Sequence, residues 1–134
     1  MSCSGFTADV ISALVEAGSA RPSSLPGMSI HHFHGASARV PIESTAFGIR
    51  RDHLVVEIVA AWEPNNGEAA RHRAWADSVW TALAPGALPG GYANLLGPDD
   101  HDQIAHAYGQ NATRLLAAKT RFDPDGIFSA IPLP

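Results

Sequence analysis

Histidine is the residue type in this sequence with the widest chemistry, because its ring binds metal ions and exchanges protons near neutral pH. The chain has seven histidines, and His31, His32 and His34 lie together in the segment MSIHHFHG at residues 28–35. In an extended strand, His32 and His34 share one face and His31 lies on the other. This spacing fits a metal pair, a polar lining of a substrate cavity, or ordinary hydrogen-bonded residues of a sheet.

A second chemical feature is the segment GGYANLLG at residues 90–97. The paired glycines allow the backbone to approach a bulky partner closely, and an extended conformation after them turns Tyr92 and Asn94 to the same side. A phenol and an amide then face one ligand. A tyrosine can take a proton from a substrate alcohol only where its surroundings favour the phenolate, so packing is the alternative interpretation.

Other common catalytic arrangements are absent from the sequence. There is no GxSxG segment for a nucleophilic serine, and no glycine-rich loop follows a strand and opens a helix to hold phosphates. The single cysteine, Cys3, has no disulfide partner and lies near a terminus that we expect to be frayed. The aspartate pairs at 99–100 and 123–125 stand in turn and capping contexts.

The elements that must position these residues are predicted to be strands first and helices later. Residues 28–34, TAFGIR at 45–50 and HLVVEIVAAW at 53–62 have the composition or alternation of strands. Their short connections favour an antiparallel meander. We therefore expect an α+β fold, with an antiparallel sheet and helices packed on one of its faces.

Helical spacing of apolar residues indicates three helices around this sheet. The first follows Thr7, predicted to be its N-cap; the second spans 67–84 with Asn65 or Asn66 as its cap; the third runs from about 102 to 121, with Gly109 as its weak point. The chain is then a single domain. It consists of an N-terminal helix and linker (1–27), strands (28–62), a helix (67–84), and a segment with the Tyr-x-Asn residues, the closing helix and the tail (90–134).

Composition excludes several function classes. With 134 residues and 46% hydrophobic content, the chain can bury one core. Its net charge of −4 offers no basic surface for nucleic acid. Its longest apolar run, at residues 54–62, is too short to span a bilayer, and we expect a cytoplasmic location and no membrane partner.

The second half of the chain resembles the berberine bridge enzyme-like C-terminal segment of FAD-linked oxidases. Tyr92 and Asn94 fall on the Tyr-x-Asn motif of that family. The closing helix and the Asp-Pro turn match at Tyr108, Gly109, Asn111, Arg114, Leu115, Lys119, Asp123, Pro124 and Phe128. The segments HHFHGASARV and TAFGIR resemble strands of the same family's substrate domain, so the likeness covers roughly residues 25–134.

The resemblance implies a partial substrate domain of a flavin oxidase. In that family the flavin removes a hydride from an alcohol, amine or C–H centre, and the protein positions the reactants. By this likeness Tyr92 is the general base or a substrate contact, Asn94 its flavin-side neighbour, and Asn111, with Arg114, a helix position near the cofactor. His32 and His34 are expected to line the substrate cavity, and no metal is expected.

The family's FAD-binding domain has no counterpart in these residues, so FAD would be shared with another domain or a partner chain. We therefore expect the chain to be inactive until an FAD-binding-domain protein completes it. A non-catalytic module that dimerises or binds other chains is the first alternative, because a partial sheet leaves edges to be covered. A small metal-binding sheet protein that uses His31, His32 and His34 is the second.

Overall fold

A three-stranded antiparallel sheet forms the centre of the computed structural model, which describes residues 1–134. The strands are β1 (Ser2–Cys3), β2 (Gly27–Phe33) and β3 (His53–Val59), and β3 lies between the other two. The register pairs His31 with Val55 and Phe33 with His53. Since residues opposite each other in an antiparallel pair share a face, these four side chains lie on one face of the sheet.

Two helices cover the other face of the sheet. These are α1 (Ala8–Ser19) and α3 (Ala69–Leu83), and their apolar sides enclose the core with β1 and β3. The buried core residues are Cys3, Val10, Ala17, Leu54, Val56, Trp75, Val79 and Leu83. The two helices are joined by a buried hydrogen bond of 3.0 Å from the Trp75 indole to the Ala17 carbonyl. The predicted α+β architecture with helices on one face is confirmed.

Both of these helices were predicted, and one of the two predicted caps is correct. Thr7 caps α1, because its hydroxyl accepts from the Val10 amide at 3.3 Å. The prediction of Asn65 or Asn66 as the cap of α3 is wrong, since the N-cap is Glu68. The Asn66 side chain instead accepts from the Glu68 amide at 2.9 Å, in the turn before the helix.

The predicted strand at 45–50 is not present, and the meander prediction is therefore wrong. Residues 45–50 follow a 3₁₀ turn at Ile42–Ser44 as a loop. The physical reason is that β2 pairs directly with β3 along its whole length, so no strand fits between them, and the loop packs on the Tyr108 backbone instead of along the free edge of β2. Cys3, which we expected in a frayed terminus, is fully buried in this strand.

Gly48 shows what the loop at 45–50 does instead. A Cβ atom at Gly48 would lie 2.4 Å from the Tyr108 carbonyl carbon, so the loop passes directly over the backbone of the closing segment. The short helix α2 (Ala36–Arg39) leads into this loop. The loop, which follows β2, therefore packs backbone against backbone on the closing segment near Tyr108.

The closing helix is interrupted near the predicted weak point. It comprises α4 (His101–Ala107), a 3₁₀ turn at Gly109–Asn111, and α5 (Ala112–Phe122). Gly109 has φ +51°, a conformation that favours glycine and cannot continue a helix. None of the helices combines the length and the apolar character needed to cross a bilayer.

Candidate functional site

Tyr92 and Asn94 lie where the chain crosses closely over α4. Gly90 has φ +83°, and a Cβ atom there would be 2.7 Å from the His106 carbonyl oxygen, so the paired glycines do allow the predicted close approach. The segment after them is a 3₁₀ turn at Ala93–Leu95 and not the predicted extended chain. The two side chains nevertheless meet, because the Asn94 amide donates to the Tyr92 hydroxyl at 3.0 Å.

An aromatic cluster surrounds Tyr92. Its ring centroid lies 5.5 Å from that of Phe33 and 6.0 Å from that of Phe47, with the Phe47 contact edge-on. Phe33 and Phe47 are themselves 5.7 Å apart. Such tilted contacts are the favoured geometry of aromatic rings and fix their positions. Tyr92 is therefore held by β2, by the loop at 45–50 and by its own turn.

The aromatic cluster forms one wall of a cavity of about 540 Å³, which is in the size range of small-molecule sites. Most residues around the cavity are apolar. Its polar side chains are those of Tyr92, Tyr108, Asn94, Arg50 and Ser37. The arrangement of an apolar chamber with a few convergent polar groups is typical of a ligand-binding site.

His53 lies beneath this aromatic wall. Its ring centroid is 5.0 Å from Phe33, and its Nδ1 is 2.7 Å from the Arg51 carbonyl oxygen. A carbonyl can only accept, so Nδ1 carries the proton and the neutral ring leaves Nε2 as a buried acceptor without a partner. Burial lowers the pKa of His53, and the charges of Arg51 and His32 lower it further.

A second, more polar group lies on the same sheet face, on the other side of Tyr92. The Ser29 hydroxyl donates to Glu57 at 2.7 Å and lies 3.1 Å from His31 Nε2. His31 and Glu57 line a cavity of about 360 Å³ together with Tyr92. Sequence reasoning missed Glu57, although the alternation of HLVVEIV places it on the face of Val55.

His32 and His34 are not part of this site. Their rings stack on each other with centroids 4.4 Å apart, and His32 pairs with Leu54, whose side chain lies on the helix-covered face. Tyr92 contacts the opposite face. The structure therefore does not bring the two histidines to Tyr92, and their role as substrate contacts stays a prediction. No group of three or more His, Cys, Asp or Glu side chains is arranged to hold a metal ion.

Asn111 and Arg114 attach the closing helix to the 3₁₀ turn at Ile42–Ser44. The buried Asn111 amide donates to the Ile42 carbonyl at 2.8 Å, and Arg114 donates to the Glu43 carbonyl at 2.6 Å. Both side chains are thus used in contacts within the chain. The cofactor contact expected for Asn111 stays a prediction that this geometry does not support.

The fold and the site together define an α+β domain with an aromatic-walled cavity on the sheet face opposite α1 and α3. Residues 91–131 match the family described as berberine and berberine-like. The chain is 32% identical to the FAD-linked oxidoreductase aurO of Gibberella zeae, over 96% of this chain and 25% of that protein.

Two further relatives agree with this match. An uncharacterised FAD-linked oxidoreductase of Bacillus subtilis, YgaK, is 30% identical over 70% of this chain and 20% of its own length. The solved structure of a variant of BBE-like 1 from Physcomitrella patens superposes with a TM-score of 0.76 at 23% identity, covering 99% of this chain and 30% of that one. Residues 91–131 therefore carry the berberine-like family segment, and the chain as a whole resembles part of the FAD-linked oxidoreductases. It spans between a fifth and a third of the length of these relatives.

Proposed function

We propose that this domain forms the substrate side of the active site of an FAD-dependent oxidase of alcohols, amines or C–H centres. The observation that carries the proposal is the Tyr92–Asn94 hydrogen bond of 3.0 Å at the aromatic cavity. The phenol oxygen accepts in this bond, so its own hydrogen is not committed to Asn94. Tyr92 can thus exchange a proton with a ligand in the cavity.

The residues around the cavity fit the ring portion of FAD better than its phosphates. Phe33, Phe47 and Tyr92 present apolar ring surfaces, which suit a planar ligand. No glycine-rich loop in the chain joins a strand to the start of a helix, which is the arrangement that holds a pyrophosphate. We therefore propose that FAD is shared, with its phosphates held by an FAD-binding domain outside these residues.

Each residue of the site then has a defined task. Bound FAD supplies the hydride acceptor. In its phenolate form, Tyr92 takes the proton from the substrate hydroxyl or amine and becomes the neutral phenol. The hydrogen bond donated by the Asn94 amide favours the phenolate before this transfer. Phe33 and Phe47 orient the substrate and keep water out of the cavity.

Replacing Tyr92 by Phe tests this role in the chain combined with an FAD-binding-domain protein. The rate of anaerobic flavin reduction, by the alcohol or amine that the unaltered pair oxidises fastest, should fall about 100-fold or more because the proton acceptor is lost. Tyr108→Phe is the matched control, because Tyr108 also lines the cavity but its hydroxyl hydrogen is committed within the chain. The Tyr108 hydroxyl donates to the Pro132 carbonyl at 2.7 Å, and its removal should leave the rate largely unchanged. Equal rates for Tyr92→Phe and the unaltered pair would contradict the proposal.

A non-catalytic assembly module is the second candidate function, favoured by exposed apolar side chains. Phe122 and Phe128 are 74% and 79% exposed, and β2 lies at an edge of the sheet that another strand could extend. Light scattering separates the two candidates. A stable dimer of the chain alone that does not respond to an FAD-binding-domain protein supports the assembly module, and a chain that joins such a protein supports the oxidase.

A further inference from the structure

Arg50 is the one charged residue among those that line the aromatic cavity. It takes part in no ion pair, and the side chain is half-buried. Its Nε atom is buried and has no hydrogen-bond partner. A partly buried cation without a carboxylate partner is costly, and an anionic ligand in the cavity would remove that cost.

The Arg50 guanidinium is held in place before any ligand arrives. One terminal nitrogen donates to the Ser37 carbonyl at 2.9 Å and the other to the Thr45 hydroxyl at 2.6 Å. The group also lies over the Phe47 ring, 4.9 Å from its centroid. An arginine has five N–H donors, so these contacts fix its plane and leave further donors for a ligand.

The phenol of Tyr92, which lines the same cavity, is also able to donate in its neutral form. Tyr92 accepts from Asn94, so its O–H remains available, while Arg50 has donors only. No carboxylate lines the cavity. The polar groups and the charge therefore suit a ligand that brings acceptor oxygens and a negative charge, and the aromatic wall suits a planar ring.

We propose that the aromatic cavity binds an aromatic carboxylate and that Arg50 is its anion-binding residue. This inference rests on the proposed function, because it names the class of substrate that would occupy the site. It distinguishes this cavity from the one on the other side of Tyr92, where Glu57 supplies a carboxylate. A ring-bearing acid, rather than a protonated amine, is then the ligand that reaches Tyr92 from the side of Arg50.

Calorimetric titration of the 134-residue chain with two probes tests the proposal. The probes are 2-naphthoate and the uncharged 2-naphthamide, which share the ring and differ in charge. We expect about tenfold tighter binding of the carboxylate, the usual gain from a charge-assisted hydrogen bond. Arg50→Gln should abolish this preference. Arg51→Gln, which removes an equal charge from an exposed neighbour, should retain it.

Two further measurements keep the proposal testable if Arg50→Gln does not fold. Arg50→Lys keeps the charge but loses the planar group, and it should reduce the preference for the carboxylate. In the unaltered chain, the NMR signal of the Arg50 Nε–H should shift with 2-naphthoate and not with 2-naphthamide.

Three results would overturn the proposal: no binding of the carboxylate, equal binding of the two probes, or a preference that survives Arg50→Gln. The proposed function has a separate test, the rate of flavin reduction by the combined proteins, in which neither naphthyl probe is present. A failure of one proposal can therefore be told from a failure of the other.

Discussion

Tyr92 has a defined position because its neighbours leave it few alternatives. Two phenylalanine rings pack against it, and Asn94 bonds its hydroxyl. The alternation in this segment predicted that the two side chains lie on one side of an extended chain, whereas they meet through a 3₁₀ turn. The surrounding residues could not be predicted, because Phe47 and Arg50 come from a loop whose path depends on Gly48 and on the closing segment. No periodicity marks such residues.

His53 is expected to make the stability of the domain depend on pH. Its pKa is lowered in the folded state, mainly by burial, so the unfolded chain takes up a proton first as the pH falls. The stability from the neutral ring is complete above the ordinary histidine pKa of about 6.5 and is lost below it. Thermal unfolding of His53→Asn between pH 7.5 and pH 5.5 should show a smaller decrease than that of the unaltered chain.

The control for this measurement is His101→Asn, since His101 is exposed at the start of α4. That variant should keep the pH dependence of the unaltered chain. If His53→Asn retained the full pH dependence, the buried neutral ring would not be its source.

Asn111 is expected to act on stability even when no cofactor is present. Its replacement by Ala leaves the Ile42 carbonyl without its donor, which should cost about 1–3 kcal/mol in the free energy of unfolding. Urea unfolding of the chain without FAD measures this loss. Gln110→Ala, at an exposed neighbouring position, should change it little. If Asn111→Ala left the free energy of unfolding unchanged, the hydrogen bond to Ile42 would not explain this residue, and a cofactor contact would be the alternative.

At the scale of elements, the crossing of Gly48 over Tyr108 determines the shape of the cavity. The approach leaves no room for a side chain, since a Cβ atom would overlap backbone. Gly48→Ala should therefore destabilise the domain by about 1–3 kcal/mol and displace Phe47 from Tyr92. The free energy of unfolding would measure the loss of stability. The fluorescence of a bound naphthyl ligand would report the displacement of Phe47.

Gly18→Ala is the matched control for this change. Gly18 lies within α1, and nothing lies within 4 Å of an added Cβ atom. The substitution should stabilise the helix by about 0.5–1 kcal/mol. A Gly48→Ala chain as stable as Gly18→Ala would show that the loop does not pack as described.

The elements differ in how well the sequence predicts them. Strand β3 and helices α1 and α3 follow from local alternation and helical spacing, because each buries one side against the same core. The expected strand at 45–50 failed because β2 pairs directly with β3 and the loop packs on Tyr108 instead. The strand at Ser2–Cys3, which takes the other edge of β3, is too short to show a pattern.

At the scale of the whole molecule, the two faces of the sheet are covered differently. Helices α1 and α3 cover the first. The Tyr92 segment and the loop at 45–50 cover part of the second, where His53 and Val55 are buried, and Phe33 and Glu57 line cavities together with Tyr92. The relatives that match the chain are at least three times its length. Our proposal of a shared flavin site assigns the remaining cover of this face to an FAD-binding domain outside these residues.

The most direct test is the visible absorbance of the purified chain with added FAD, in the absence and presence of an FAD-binding-domain protein. Alone, the chain should leave the flavin bands between about 350 and 500 nm unchanged after removal of free FAD. Together, the two proteins should retain yellow FAD, with bands that Tyr92→Phe alters. Retention of FAD by the chain by itself, or a flavin spectrum indifferent to this chain and to Tyr92, would contradict the account.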